Sequence, residues 1–593
     1  MTRLSVAAVV AALVFGTAAV AGDAALTGDV LVTNGSPAST FSQNKQNEPA
    51  VAIDAAHPLV VAAGANEEID MAPCGTDTAT ADAPCPFTPG VGVSGIYFSF
   101  DGGHSWTQPT YSGWSGRTGT EQVGPIGTLP WYYENGLVSD GDPAVAFGPK
   151  PDANGHFAWS NGSRLYYANL TSNFSAKSGF RGDEAIAVSR TDDVGAAAAG
   201  TKSAWMPPVI VSRQNAALFS DKDQVWADNA SSSPYFGNVY ICNVAFRGHG
   251  KGVNAVPEPV MVARSTDGGS SWKQQQVSSA TDNPVTGGRQ GCSIRTDSHG
   301  NVYAFWLGAS KGVNVHFMAV STNGGASFGK PQLVAAVNVP GFPDPVSGDF
   351  VMDGNAGARS DLTPAPSFDI ANGAPTGVNA PNTIVDTWTD GSGDTSHAVV
   401  ITSTDGGGHW SNPVDANDTG DTKAMYSAVG ITPDGKTVYL TYNDWTAAFQ
   451  ADETSARPMV GVFRGAPVSG GTIGSWTTLN RGASGDARGS SANSLAVEFL
   501  GDYNYVAADG GYGVAVWNDV RNAADCPAID GYRQSLIAQA TASGQTIAGA
   551  DDEEDTDKNA ADPAVAPPNP ASACIGAASR FGNSDIYAAT TAP

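Results

Sequence analysis

The chain has 593 residues, enough for several domains or for one large β-sheet architecture. The sequence has 30 lysine and arginine residues and 57 aspartate and glutamate residues, which gives a formal net charge of -27. Because an acidic surface repels nucleic acid and anionic membranes, this charge excludes both as partners. The 71 glycines and 37 prolines allow many turns but stay below the level that indicates disorder.

The N-terminus has the pattern of an export signal. Arg3 supplies a positive end, a long apolar run follows, and Ala19-Val20-Ala21 forms a small-residue cleavage site. A membrane anchor is the alternative, but no basic stop-transfer flank follows the run, and no later segment is apolar enough to span a bilayer. We predict a signal peptide over residues 1–21, cleavage near Ala21, and a secreted or periplasmic mature chain over 22–593 without a membrane span.

Six cysteines fit an oxidising compartment and allow 15 pairings. Two of them bracket a short loop, two bracket a long insertion, and the remaining two lie in strand-like runs. A metal site is the alternative, but the sequence has no C-x-x-C pair or cysteine–histidine spacing typical of one. The positions therefore predict three disulfides, which join Cys74 to Cys85, Cys242 to Cys292, and Cys526 to Cys574.

A unit of short strands recurs along the whole mature chain. Each unit starts with a polar or acidic residue and a short strand that ends near Asp, then has a strand that often ends in an aromatic residue, then a third strand. The first strands of the seven units lie at 47–54, 141–148, 222–228, 290–297, 361–369, 426–434 and 502–509. No unit could bury its faces alone, so the repeat predicts an all-β fold, a single β-propeller.

We expect seven blades, with six as the alternative. Segment 29–33 is expected to pair with the last blade and close the ring. The surplus residues are assigned to loops at 66–95, 107–140, 248–258 and 520–583, and the acidic, proline-rich stretch near 545–572 is predicted to be a mobile insertion.

One octapeptide occurs four times, first as SFDGGHSW at 99–106. The other copies lie at 265–272, 321–328 and 403–410. Its Asp can accept hydrogen bonds from turn backbone groups, its glycines allow positive φ, and its final aromatic ring can pack between blades. Asn323 and Phe328 replace Asp and Trp in the third copy, which keeps the geometry but loses the charge. We therefore interpret the octapeptide as scaffold.

The motif Ser/Thr-x-Asp-x-Gly-x-x-Trp resembles the Asp box, or BNR repeat, of sialidases and related propellers. The segments QNEPAVAID and FLGDYNYVAADGGYGVAVWNDVRN are also similar to secreted bacterial proteins described as sialidase-like. The resemblance implies a carbohydrate-active enzyme of the glycoside hydrolase type that acts on an extracellular glycan or glycoconjugate; we expect it to be a monomer. Sialidases proper have six blades, so the count of seven is a departure.

In that family the Asp boxes lie on the face opposite the active site. Because strands alternate in direction, the starts of the first strands and the loops between second and third strands meet at the other face, which we call the mouth. The polar residues expected there are Glu48, Glu67, Glu68, Asp140, Asp142, Asp221, Asp223, Arg247, Arg289, Arg359, Asp361, Asp390, Tyr426, Asp444, Asp502, Asp519 and Arg521.

Sialidases hold the substrate carboxylate with three arginines. They also use a tyrosine as the nucleophile and an aspartate as the acid/base. The resemblance implies Tyr426 as nucleophile and Asp142 and Asp223 as acid/base candidates. The candidate substrate-binding residues are Arg289, Arg359, Arg521, Arg247, Glu48, Asp361 and Asp502. Glu48 stands where the family has an arginine, and a carboxylate there would repel sialic acid, so strict exo-sialidase activity is not expected.

Two other functions fit the same residues. A non-catalytic propeller could bind glycans or proteins at the mouth, and the acidic strand starts could hold Ca²⁺, which takes several oxygen ligands. Single Asp residues there could simply cap turns, Arg289 and Arg359 could be structural ion-pair partners, and Tyr426 could line the channel.

Overall fold

The computed structural model describes residues 28–174, 179–212, 215, 217–247, 257–283, 285–550, 560–576 and 579–593. The predicted signal peptide and residues 551–559 of the predicted insertion lie outside the described residues. No helix in the described part of the chain is long and apolar enough to cross a membrane.

The described strands form a seven-bladed propeller, in which the first strands of successive antiparallel sheets contact one another in a closed ring. Blade 1 consists of Gln46–Ile53, Val61–Glu67 and Ser94–Ser99, and blade 2 consists of Ala144–Pro149, Ser163–Asn173, Ala185–Thr191 and Trp205–Ile210. Blade 3 consists of Leu218–Ala227, Val239–Arg247, Val260–Ser265 and Lys273–Gln276, and blade 4 consists of Gln290–Thr296, Val302–Ser310, Val313–Ser321 and Gln332–Ala336. Blade 5 consists of Ser367–Ile370, Ile384–Ser392, Thr395–Ser403 and Val414–Asp415. Blade 6 consists of Ala424–Ile431, Thr437–Trp445, Pro458–Ser469 and Thr477–Arg481. Blade 7 consists of Tyr505–Asp509, Tyr512–Asp519, Asp585–Thr590 and Val30–Leu31.

The remaining elements lie in the loops or at blade edges. The extra strands are Tyr111–Ser115, Gln122–Ile126, Leu137–Ser139, Phe342–Pro343, Phe350–Val351, Thr472–Ile473 and Gly485–Asp486. The α-helices are Val194–Ala198, Pro527–Ser543 and Pro570–Ala573, and the 3₁₀ helices are Tyr133–Asn135, Trp159–Asn161, Lys202–Ala204 and Ala487–Gly489.

The N-terminal strand closes the ring as predicted. Val30 and Leu31 pair with Ala588 and Tyr587 in the last blade, so the first described strand supplies the outer strand of blade 7. The prediction of an all-β propeller with seven blades is confirmed, and the alternative of six is wrong. The first strands of blades 1, 2 and 6 are buried along their whole length, because neighbouring blades cover both of their faces. This explains their short runs of alanine and valine.

The four octapeptides form equivalent turns. Each begins at the end of a third strand, in blades 1, 3, 4 and 5, and therefore lies on the face opposite the starts of the first strands. Asp101 accepts a hydrogen bond from the backbone N–H of Ser105 at 2.9 Å, and Asn323 accepts the matching bond from Ser327 at 2.9 Å. Trp106 is buried in a cluster shared by blades 1 and 7. These contacts agree with a scaffold role.

The three predicted disulfides are confirmed: they join Cys74 to Cys85, Cys242 to Cys292, and Cys526 to Cys574. The sequence pattern missed the helix Pro527–Ser543, which follows Cys526 inside the long insertion. Its buried residues do recur at helical spacing, at Ile529, Tyr532, Arg533, Leu536, Ile537 and Ala540. This helical pattern is short, and the acidic, proline-rich stretch that follows it in the sequence indicated only irregular chain.

Candidate functional site

A repeated backbone distortion aims side chains into the mouth. The same position near the start of the first strand has a left-handed φ in five blades: 53° at Glu48, 47° at Asp142, 54° at Lys222, 57° at Gly291 and 56° at Tyr426. The strand register shifts at this point in blades 1, 3, 4 and 6, which marks a β-bulge. Left-handed backbone is costly for residues other than glycine, and bulges redirect side chains at functional sites. The distortion therefore makes the mouth a candidate site.

A cavity of about 460 Å³ opens at the mouth. It is lined by Lys45, Asn47, Glu48, Asn66, Glu68, Phe87, Val93, Asp140, Asp142, Leu170, Glu184, Phe219, Asp221, Lys222, Arg359 and Phe499. Convergent charged groups with aromatic walls are typical of a small-molecule site.

Two cations and two carboxylates form a buried ion cluster at the base of this cavity. Arg359 binds Asp502 through two hydrogen bonds, from Nε at 2.7 Å and from Nη2 at 2.8 Å. Lys222 Nζ lies 2.9 Å from the same carboxylate and 3.9 Å from Asp142 Oδ2. The four side chains come from blades 2 and 3, from the chain before blade 5, and from the chain before blade 7, so the ring of blades is what assembles them.

Glu48 is held in the cluster through both carboxyl oxygens. Asn66 Nδ2 donates to Glu48 Oε2 at 2.9 Å, and the backbone N–H of Asp502 donates to Oε1 at 2.9 Å. Asn66 Oδ1 also accepts from the backbone N–H of Asp142 at 3.1 Å, so one amide orients both acidic residues. Gly501 permits this packing, because a Cβ there would lie 2.0 Å from Glu48 Cγ. The geometry therefore fixes Glu48 beside Asp142.

The two carboxyl groups lie beside each other, and their pKa values shift in opposite directions. Burial raises the pKa of Glu48 well above its usual range, and the neighbouring Asp142 charge raises it further. Burial also acts to raise the pKa of Asp142, but the Lys222 ammonium and the hydrogen bonds to Asp142 outweigh it and lower the value. Glu48 therefore keeps a proton under conditions in which Asp142 is ionised. Paired groups of this kind divide acid and base roles in enzymes.

Two tyrosines lie near the pair, in different settings. The Tyr503 hydroxyl donates to Asp142 Oδ1 at 3.2 Å, whereas the Tyr426 hydroxyl donates to the backbone carbonyl of Arg359 at 2.8 Å. Burial raises the pKa of both phenols well above the usual value. Only Tyr503, of these two, has its hydroxyl hydrogen-bonded to a carboxylate that could accept its proton. The predicted nucleophile Tyr426 thus lies at the site but faces the main chain.

A second cavity of about 90 Å³ lies on the inner side of the cluster. Asp142 and Lys222 line both cavities, while Tyr503 and Asp223 line the inner one. Both carboxyl oxygens of Asp223 are buried with no hydrogen-bond partner among the described residues. Burial raises its pKa well above the usual range, as do the nearby charges of Asp142 and Asp221. Asp223 therefore keeps its proton to a higher pH than an ordinary aspartate, and its acid/base role stays a prediction.

Two of the predicted substrate-binding arginines do not line either cavity. Arg289 Nη2 donates to Ser279 Oγ at 2.8 Å, and its Nη1 donates to the Gly287 carbonyl at 2.9 Å. Arg247 Nη2 donates to Gln276 Oε1 at 2.9 Å. These contacts place both arginines away from Arg359.

Of the two remaining substrate-binding candidates, Arg521 lies outside the site and Asp361 lies near it. Arg521 Nε donates to Asp519 Oδ1 at 2.9 Å, and its guanidinium lies 3.8 Å from the ring centroid of Tyr587, outside both cavities. Asp361 lies close enough to Tyr426 for its charge to contribute to that raised pKa. Glu48, Asp142, Asp223, Arg359, Tyr426 and Asp502 are thus brought together, whereas Arg247, Arg289 and Arg521 are not.

The aromatic wall at Phe499 is anchored to a fully buried ion network. Glu498 Oε1 accepts from Arg457 Nη1 at 2.7 Å, and Glu453 Oε2 accepts from Arg457 Nη2 at 2.6 Å. Arg533, on the helix Pro527–Ser543, donates to the other oxygen of Glu453 at 3.1 Å. These charged side chains have no solvent exposure. The helix that the sequence pattern missed therefore supports one side of the mouth.

No group of three or more His, Cys, Asp or Glu side chains suited to a metal ion occurs within the described ranges. At the mouth, the Lys222 ammonium already lies within 3.9 Å of Asp142, Asp221 and Asp502. A Ca²⁺ ion bound by those carboxylates would have to displace it. The predicted Ca²⁺ site stays a prediction.

The solved structures to which this chain is similar include sialidases. It matches a Hadza microbial sialidase, Hz136, at 12% identity and a TM-score of 0.38 over 68% of this chain and 63% of that one. It matches Trypanosoma rangeli sialidase in complex with the inhibitor DANA at 12% identity and a TM-score of 0.36, over 68% of this chain and 53% of that one. A Penicillium chrysogenum α-L-arabinanase complexed with arabinobiose matches at 11% identity and a TM-score of 0.31, over 63% of this chain and 87% of that one.

The chain spans less than two thirds of the length of the two sialidases. No family model and no curated protein matches it. The roles of the mouth residues therefore depend on this chain's own geometry.

Sequence reasoning missed Lys222, Asn66 and Tyr503. Lys222 and Tyr503 stand six residues before Asp228 and Asp509, the spacing that separates Glu48 from Asp54 in the first unit. Superposing the seven units at this spacing would have found both, because it aligns them with Glu48 of the first unit. Asn66 had no such signal, since its role depends on how the second strand of blade 1 lies against blade 2.

Proposed function

We propose that this protein is a secreted carbohydrate-active enzyme of the glycoside hydrolase type, whose active site is the mouth. The observation that carries the proposal is the Tyr503–Asp142–Glu48 arrangement. A tyrosine hydroxyl is bonded to an ionised carboxylate, and a second carboxyl that keeps its proton lies beside them. Glycoside hydrolysis needs these components, namely a nucleophile with a base and a proton donor.

Asp142 is the base in this proposal. It accepts the phenolic proton of Tyr503 while the Tyr503 oxygen attacks the anomeric carbon, and Glu48 gives its proton to the departing glycosidic oxygen. Glu48 lines the outer cavity, Tyr503 lines the inner one, and Asp142 lines both, so Asp142 connects the donor with the nucleophile. Water then cleaves the glycosyl–tyrosine bond: Glu48 takes a proton from the water, and Asp142 returns its proton to the leaving Tyr503 oxygen, which restores all three groups.

The walls of the mouth support a carbohydrate ligand. Phe87, Phe219 and Phe499 offer apolar ring surface, and Phe87 is 52% exposed. Asn47 lines the same cavity, and a few polar groups on aromatic walls suit a polyhydroxylated ring. Export is supported by the N-terminal signal pattern and by the three disulfides, which persist in oxidising compartments.

The proposal is tested by screening the purified mature chain against a panel of aryl glycosides and natural glycans, with Asp142→Asn as the matched inactive variant. We expect turnover of at least one glycoside by the wild type and its loss in the variant. Saturable glycan binding without any turnover would instead identify a binding module.

The pH dependence of kcat/KM should follow the two opposed shifts. Activity needs Asp142 ionised, with a lowered pKa, and Glu48 protonated, with a raised pKa. Catalysis should therefore be greatest between the two shifted pKa values and fall about tenfold per pH unit once Glu48 loses its proton. In Glu48→Gln the residual activity should lose this alkaline limb, while Glu67→Gln, which alters a buried glutamate outside both cavities, should retain it. An unchanged alkaline limb in Glu48→Gln would assign that limb to another group.

A further inference from the structure

The carboxylate of Asp502 occupies the place where an arginine-binding anion would lie. It takes two hydrogen bonds from Arg359, at 2.7 and 2.8 Å, and one from Lys222 at 2.9 Å. The side chains of the three residues are each at least nine-tenths buried, with exposures of 10% for Arg359, 9% for Lys222 and 4% for Asp502. Both cations of the cluster thus already bind a carboxylate that belongs to the chain.

The cluster has no excess positive charge. Burial acts to raise the pKa of Asp502, but Arg359 and Lys222 outweigh it and lower the value to about 2, so this carboxylate is ionised at any ordinary pH. Asp142 is ionised as well, and Asp221 Oδ2 lies 3.8 Å from Lys222 Nζ. A ligand carboxylate would therefore bring further negative charge into a buried region that has no excess positive charge in the cluster, which is unfavourable.

We propose that Asp502 is a specificity-determining residue that restricts the mouth to sugars without a carboxylate. The proposal rests on the function proposed above and narrows its substrate class to neutral glycosides. It also gives Arg359 a different role from the one implied by the sialidase resemblance, because Arg359 binds an internal carboxylate in place of the substrate's.

The side chain of Asp502 can be changed without removing its link to the acid–base pair. The contact to Glu48 comes from the backbone N–H of Asp502, at 2.9 Å, and any residue at 502 except proline supplies that group. Asp502→Gly removes the carboxylate and leaves space beside two cations. Asp502→Asn keeps the shape, removes the charge and replaces one acceptor oxygen by an NH2 group. Asp434→Asn is the matched control, since Asp434 lies in an exposed turn of blade 6.

The test measures the binding of acetate and of sialic acid to the full mature chain by NMR or calorimetry. The melting temperature of each variant checks that it is folded. We expect no saturable binding to the wild type or to Asp434→Asn. Asp502→Gly should bind both anions with a dissociation constant at least about tenfold below the highest concentration at which the wild type shows no binding, and adding Lys222→Met should reverse the gain. If Asp502→Gly does not fold, Asp502→Asn should show the same direction with a smaller gain.

Two results would overturn the inference: wild-type protein that binds sialic acid as tightly as the folded variants, or folded variants that gain no anion binding. The readout needs no turnover, so it separates this inference from the proposed function. A wild type that hydrolyses no neutral glycoside contradicts the proposed function, while the anion titration still decides the role of Asp502.

Discussion

Replacing Tyr503 by Phe is expected to lower kcat on the best glycoside of the panel by about 10³-fold or more, the scale on which removing a nucleophile acts. The variant loses only the hydroxyl that donates to Asp142 Oδ1 at 3.2 Å, so substrate binding should change little. Tyr426→Phe makes the same chemical change at the equivalent position of blade 6. Its hydroxyl bonds a backbone carbonyl, so we expect a loss of about tenfold at most, the worth of one hydrogen bond.

Steady-state kinetics of the two variants decide between the tyrosines. If Tyr426→Phe abolishes turnover and Tyr503→Phe retains it, the nucleophile is the residue implied by the sialidase resemblance. If both variants keep full turnover, no tyrosine attacks the sugar, and water activated by Asp142 takes that part.

Replacing Arg457 by Met should destabilise the fold by about 3–5 kcal/mol, the usual cost of removing one partner from a buried ion pair. Arg457 bonds Glu498 at 2.7 Å and Glu453 at 2.6 Å, and all of these side chains have no exposure. Glu453 keeps Arg533, but Glu498 loses its ion-pair partner. Since burial already raises the pKa of Glu498, the variant should recover part of its stability in mild acid, where that carboxyl can bind a proton.

Urea unfolding with the disulfides intact measures this cost through the midpoint and the slope. Adding Glu498→Gln to Arg457→Met should restore part of the stability, because it removes the charge left without a partner. The control is Lys436→Met, which breaks the exposed 2.7 Å pair with Asp434 and should leave the midpoint unchanged. An Arg457→Met midpoint equal to that of the wild type would show that the network does not stabilise the fold.

Most of the fold could be predicted from the sequence because a propeller repeats its local patterns. The seven first strands, the closing segment at 29–33 and the pairing of the cysteines depend on short-range signals or on position along the chain. The helix Pro527–Ser543 was missed because it occurs once, inside an insertion, and has no second copy to make its pattern stand out.

The site was predicted less completely, for a physical reason. Strand direction alone brought Glu48, Asp142, Arg359 and Asp502 to one face. It could not show that Arg359 would be bound by Asp502, because that contact joins segments 143 residues apart. Nor could strand direction show which of the side chains of Asp221, Lys222 and Asp223 line the outer cavity and which line the inner one. The bulge at this point disrupts the alternation by which successive side chains of a strand point to opposite faces.

The central claim is that Glu48 holds a proton beside an ionised Asp142. Infrared difference spectra between the wild type and Glu48→Gln in mild acid measure this directly, through the C=O stretch of a protonated carboxyl group, with Glu67→Gln recorded separately to identify its own band. We predict that Glu48→Gln loses one protonated-carboxyl band and that this band disappears from the wild type as the pH rises through the raised pKa of Glu48. A wild-type spectrum in which Glu48 contributes only carboxylate bands in mild acid would contradict the account.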